Sequence, residues 1–292
     1  LTGTNGTGGE VNWMIEGITL DGNKASNGSA TVPVLRVYGY GFEVKSLRIR
    51  NGNNEGLYSE WSTSLPSPGS DSMMAFGENL KVHDCGSHRI HWKGPHDSMW
   101  TKGEVFNNGA RGVFVDAGGD GLEVWGVHCW GLTQTYAIYL GATGCRFTDC
   151  VAEGAITAQL ALDANDCSFN GFVYGAGASA PVGVEFGPGG TRQDLMFVGK
   201  INNCTSGALK FTNDGGSLIV ADIFQSGGTL TTGTISINSR HTLRTNGVAG
   251  SVDRLNGGLE IHGGSTLKLY SAADSGFATL AFDGSQVTNT WP

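Results

Sequence analysis

Charge is scarce in this sequence. Lys, Arg, Asp and Glu supply 15% of its 292 residues, and the acids outnumber the bases 26 to 18. A net charge of −8 with no basic cluster argues against a nucleic-acid partner. Proline is also rare, at 7 residues, and there is no Gly-X-Y period, so a collagen-like chain is out. No apolar run approaches the ~18 residues that a membrane-spanning helix needs, and membrane insertion is not expected. No amphipathic stretch of helical length stands out. The six cysteines, Cys85, Cys129, Cys145, Cys150, Cys167 and Cys204, form neither C-x-x-C pairs nor a dense disulfide framework. P-loop, zinc and nucleophile-elbow signatures are missing, and no cofactor is expected. The chain opens on Leu1 with no secretory leader ahead of it, so a fragment or a processed chain is expected.

Glycine is what the sequence has in plenty: 48 residues, against an average usage of about 7%. These glycines punctuate a recurring phrase of apolar, variable, apolar, then turn-forming or polar. Val113-Phe114-Val115-Asp116 is one copy. Others fall at Leu35/Val37, Leu57/Ser59, Ile90/Trp92, Ile138/Leu140, Leu160/Leu162, Val184/Phe186, Leu209/Phe211 and Ile235/Ile237. Successive copies lie 22 to 26 residues apart, apart from one step of 33. A period of roughly 20–30 residues signals a solenoid.

Each copy reads as a strand whose side chains point alternately in and out. Two more apolar pairs follow within a repeat: Leu122/Val124 and Val127/Cys129 after Val113/Val115, then Cys145/Phe147 and Cys150/Ala152 after Ile138/Leu140. Three strands per coil would close a tube around a narrow apolar core, and about ten coils would stack by parallel pairing at about 4.8 Å. Cys145 and Cys167 share a repeat column, so stacked, buried free thiols are expected. Residues 1–250 are expected to form the solenoid, with a lead-in over 1–30 and a Ser/Pro/Gly-rich loop from Ser62 to Ser72. Residues 251–292 keep strand alternation but lose the cadence, which suggests a C-terminal β segment that caps or oligomerises.

The start IEGITLDGN, followed by Gly-punctuated coils over roughly residues 10–250, resembles the pectate-lyase-like right-handed parallel β-helix. That family includes pectin-degrading enzymes, polysaccharide epimerases and bacteriophage tailspike depolymerases. The phrases STLKLYSAADS and ATLAFDG resemble trailing segments of phage tail proteins. The resemblance implies an all-β fold, a polysaccharide substrate, a homotrimer and a virion-tail or extracellular location. No catalytic motif of the family transfers residue by residue.

The repeat register supplies candidates of its own. The outward column between the apolar pairs reads Arg36, Tyr58, His91, Phe114, Tyr139, Ala161, Glu185 and Lys210; the next reads Tyr38, Glu60, Lys93, Asp116, Gly141 and Asp163. Aromatic rings suit sugar faces, and polar groups suit hydroxyls. Glu60 and Asp116 are two coils, about 9.6 Å, apart. Inverting glycosidases separate their carboxyls by roughly 6.5–9.5 Å, so this pair is a candidate acid and base. Tyr58, Trp61, His91, Lys93, Phe114, Tyr139 and Trp125 are the candidate sugar-binding residues.

Asp97 and Asp120, one coil apart, are an alternative pair at about the retaining spacing, although turn chemistry accounts for them as well. His88, His91 and His96 lie close in sequence, but alternation and turns scatter their directions, so no metal site is expected. Three functions stay open: a tailspike-type hydrolase, a lyase or epimerase in which Lys93, His91 or Tyr58 takes a proton from a uronic acid, and a non-catalytic glycan-binding fibre.

Overall fold

The computed structural model describes residues 13–28, 31–60, 74–107, 109–175 and 181–224, and beyond them the backbone of eight short strands between 229 and 288. Trp61 and the Ser62–Ser72 loop lie outside the described residues.

Two long parallel sheets build the described chain. One has ten strands, among them Leu35–Tyr38, Leu57–Glu60, Ile90–Lys93, Arg111–Val115, Tyr136–Leu140, Ala158–Leu162, Val182–Phe186 and Gly207–Phe211. The chain alternates between these and a second sheet that includes Phe76–His83, Met99–Phe106, Glu123–Trp130, Arg146–Glu153, Ser168–Tyr174 and Leu195–Asn202. Strand register follows the repeat: Leu57 pairs with Ile90, Ile90 with Val113, Val113 with Ile138, Ile138 with Leu160 and Leu160 with Val184. All six are buried, as are their second members Trp92, Val115, Leu140, Leu162 and Phe186. Parallel pairing continues through Leu259–Ile261, whereas Thr266–Tyr270, Phe277–Phe282 and Val287–Thr288 pair antiparallel. The fold is an all-β parallel solenoid.

The expected count of three strands per coil needs correction. From Phe76 onward, the second and third expected strands run together as one pairing unit of seven or eight residues. In the first four of these a kink lies between the two pieces, at Asn79, Lys102, Gly126 or Asp149, each with φ between 51° and 64°. A single left-handed residue turns the chain without ending its ladder, so pairing resumes directly beyond it, as Trp125↔Thr101 and Val127↔Gly103 show. Nearer the start of the chain the two pieces stay separate strands: Trp13–Glu16 and Thr19–Asp21 around Gly17, then Phe42–Lys45 and Arg48–Arg50 around Ser46.

Two further corners per coil are left-handed as well: Asp97, Gly121, Gly144, Asp166 and Asp194 in one column, and Asn51, Asp84, Asn107, Gly154 and Asn203 in another. Gly, Asn and Asp fill them because these residues tolerate positive φ. Side chains in the first corner also tie neighbouring coils together: Asp120 accepts from the Thr143 amide (2.8 Å) and Asn165 from the Gln193 amide (3.0 Å).

All six cysteines are free and buried, as expected. Burial pushes the Cys204 thiol up to about 12, which leaves little reactive thiolate.

Two substitutions test the corner and spacing logic. Lys102 is exposed and is the only lysine among the left-handed residues described. K102G is expected to stabilise the fold by about 1 kcal/mol, the usual cost of a left-handed side chain less the glycine entropy. A Cβ on Gly171 would lie 2.0 Å from the Cys150 carbonyl oxygen of the coil beneath. G171A should therefore destabilise by about 1–3 kcal/mol. Urea midpoints of the two variants check both directions.

Candidate functional site

The outer face of the ten-stranded sheet carries the candidate site. Pairing places Arg36, Tyr58, His91, Phe114 and Tyr139 in one column, one coil apart each, and Tyr38, Glu60 and Lys93 in the next. Asp116 continues that second column, its amide donating to the Trp92 carbonyl at 2.9 Å. The two outward columns expected from the sequence thus stand side by side.

His91 is the hub. Its Nδ1 lies 2.9 Å from Glu55 Oε1 and its Nε2 3.3 Å from Asp116 Oδ2. The ring stacks on Phe114 (4.7 Å, 25°) and meets Tyr58 edge-on at 5.0 Å. Only about an eighth of the His91 and Glu55 side chains is exposed (12% and 13%), so packing fixes both. Glu60 receives Arg36 at 2.9 Å, with Lys93 at 4.0 Å. Burial, reinforced by the Glu60 carboxylate, pushes the Tyr58 hydroxyl up to about 12, so it stays protonated at neutral pH. The face therefore holds an imidazole fixed by two acids, a protonated phenol, and two cations around a third carboxylate.

A second cluster adjoins it along the axis. The Arg111 guanidinium lies 4.0 Å from the centres of both the Phe114 and the Tyr139 rings. Tyr139 donates its hydroxyl to Asp163, which also accepts from the Gly189 amide (2.7 Å) and Arg192 (3.4 Å). Tyr136 donates to Glu185 at 3.2 Å, and Thr212 and Lys210 complete that carboxylate at 2.8 and 2.7 Å. Burial, then Glu185, pushes the Tyr136 hydroxyl up to about 12.

The other sequence candidates lie elsewhere. Trp125 belongs to Glu123–Trp130 in the other sheet, away from the Tyr58–His91 column. Asp97 and Asp120 are one coil apart, as their spacing implied, with the Asp97 amide bonded to the Asp120 carbonyl at 2.8 Å. Asp97 is a left-handed corner residue beside His96, and Asp120 bonds the Thr143 amide, so both serve the turn. Glu55, Arg111 and Tyr136 also belong to this face, and the outward columns of the repeat do not contain them. Each stands immediately before two consecutive inward residues, Gly56/Leu57, Gly112/Val113 and Ala137/Ile138, which breaks strict alternation.

Comparison with solved structures finds the A-module of a mannuronan C-5 epimerase from Azotobacter vinelandii. It matches with a TM-score of 0.65 over 88% of this chain and 74% of that one, at 12% sequence identity. The chain has the fold of a right-handed parallel β-helix. No family model matches it, and no curated protein matches it by sequence. The pectate-lyase-like architecture thus stands, while nothing in these comparisons carries the narrower likeness to tailspikes.

His88 supplies a pH test of the site's packing. It packs against His91 (5.2 Å) and Phe114 (5.0 Å). Burial first, then the His91 and Arg111 charges, push it down to about 4 against the pull of Glu55 and Asp116. A depressed folded value means the unfolded chain binds the extra proton first. Stability from this group is complete above the unfolded value of about 6.5 and is lost as pH falls toward 4, by at most about 3 kcal/mol. H88Q should flatten the urea-midpoint profile between pH 6.5 and pH 4, relative to the unchanged chain.

Proposed function

We propose that this protein modifies an acidic polysaccharide by removing the proton beside a uronate carboxylate, as a C-5 epimerase or a lyase does. The observation that carries this reading is the Glu55–His91–Asp116 array with Tyr58 and two cations on one solvent-facing sheet. The shared fold of an enzyme named as a mannuronan epimerase supports it by analogy.

The chemistry sets the requirements. A hydrogen next to an ionised carboxylate is hard to remove, because the developing charge adds to one already present. Cations beside the carboxylate offset that charge, and Arg36 and Lys93 are in place to do so. The base is His91: Glu55 accepts its Nδ1–H and leaves Nε2 to take the proton, with Asp116 beside it to stabilise the imidazolium. As the C5–H bond breaks, its electron pair moves into the carboxylate. Tyr58, held protonated, then delivers a proton to C5 from the opposite side, which inverts the centre, or to the departing O4, which leaves a double bond. Solvent restores the phenol, and His91 releases its proton to solvent.

Hydrolysis by Glu60 and Asp116 fits these surroundings less well. A glycosidase needs one carboxyl kept protonated as an acid. Glu60 instead faces Arg36 and Lys93, and Asp116 accepts from the Ala117 amide at 2.8 Å and faces His91. Both carboxylates are thus already engaged by partners of the chain itself.

Incubation with polyuronates in D2O distinguishes the chemistries. Deuterium at C5, or ultraviolet absorbance from a new double bond, is the expected result, and H91A should lower the rate of either by about 100-fold or more. New reducing ends with neither deuterium nor absorbance would sink the proposal in favour of hydrolysis.

A further inference from the structure

Cations on the functional face are, with one exception, matched to acids of the same chain. Arg36 and Lys93 share Glu60, Arg192 meets Asp163, and Lys210 meets Glu185. Arg111 is the exception. Among the described residues, no carboxylate lies within ion-pair distance of it. Asp163 and Glu185, the acids bonded to the Tyr139 and Tyr136 hydroxyls, are taken up by those hydroxyls, a backbone amide, a threonine and their own cations.

What holds Arg111 instead is aromatic. Its guanidinium lies 4.0 Å from both the Phe114 and Tyr139 ring centres and 5.9 Å from that of Tyr136. A guanidinium held by ring faces keeps its N–H edges for another partner, and those edges form the fork that matches a carboxylate. Packing has already removed much of the side chain's freedom, so little is lost on binding. Arg111 is on the strand that pairs with Ile90–Lys93, and Phe114 of that strand stacks directly on His91. The unmatched fork therefore stands one coil along the axis from the proposed base.

We infer that Arg111 is the binding point for a second carboxylate of the same polymer, on the sugar that adjoins the one held over His91. This rests on the uronate reading of the His91 site and narrows the substrate to a chain with acidic groups on neighbouring sugars. Arg111 acts as a specificity residue and takes no proton.

The test uses affinity electrophoresis of the full chain through gels containing polymannuronate or polygalacturonate, with carboxyl-reduced versions of the same polymers as controls. The unchanged protein should be retarded by the acidic polymers only. R111Q should lose at least tenfold in affinity, and R111K should fall between, since it keeps charge without the fork. In the deuterium assay, R111Q should raise KM for the polymer about tenfold while kcat moves by less than threefold. Urea midpoints of both variants within error of the parent show that folding is not the cause; if R111Q is destabilised, R111K alone carries the comparison. Retardation of R111Q equal to the parent's overturns the inference even if C5 exchange occurs, and so does equal retardation by the neutral polymers. Selective retardation lost in R111Q, with neither C5 exchange nor new absorbance in the parent, keeps the Arg111 subsite and removes only the catalytic reading.

Discussion

Parallel main-chain hydrogen bonding between coils imposes one spacing, about 4.8 Å, on every column of side chains. A residue type placed in a column must therefore tolerate its equivalents directly above and below. Inside, flat rings meet this condition by stacking: Phe186 on Phe211 at 5.0 Å and 8°, and Phe169 on Phe197 at 6.0 Å and 6°. Outside, His83, Phe106 and Trp130 stack in the same way along the second sheet. Like charges one coil apart would repel, and several neighbouring coils match opposite signs instead. Arg36–Glu60–Lys93 bridges two columns, Lys81 pairs with Glu104, and His128 turns to Glu153.

The same constraint shapes the corners and, through them, the site. A coil that returns to the same register each time must turn at fixed places, which calls for left-handed residues at recurring positions. Asp97, Gly121, Gly144, Asp166 and Asp194 meet that demand between the two sheets. Since the corners keep the strands of the first sheet short and rigid, the side chains between them are positioned by ladder hydrogen bonds. His91 gains its orientation this way, with Phe114 on one side, Tyr58 on the other, and carboxylates at both nitrogens. Sites carried on regular elements are held more tightly than sites on loops.

Period and alternation were enough to read the solenoid and two of its outward columns from the residues alone. They are repeated many times, and a one-residue slip would expose Ile90, Val113 and Ile138 together. Three things escaped. The kink at Lys102 has no glycine or asparagine to mark it, and two apolar pairs, Val124 and Val127, read as separate strands when one ladder spans both. The doubled inward residues at Gly112/Val113 and Ala137/Ile138 shifted Arg111 and Tyr136 out of the expected alternation. Ion pairing was the third. The register places Glu60 and Asp116 on one face, but whether a carboxylate can serve as an acid depends on its partners, and Arg36, His91 and the Ala117 amide come from other columns and turns.

Charge matching is what links this face to a class of substrate. A β-helix by itself is compatible with hydrolysis, elimination, epimerisation or binding. A neutral glycan would gain nothing from the Arg36–Lys93 pair beyond hydroxyl contacts, and desolvating two cations for such contacts is costly. An acidic polymer reverses that balance, because each carboxylate replaces lost hydration with a charge-assisted hydrogen bond. Glu60 keeps Arg36 and Lys93 ordered in the free protein, and the aromatic rings do the same for Arg111 without competing for its N–H groups. Hydroxyls, an amide and cations of the chain itself engage Asp163 and Glu185, which lessens their repulsion of an incoming anion. On the proposed reading, negative charge is received along the stacking direction, where one coil follows another at constant spacing.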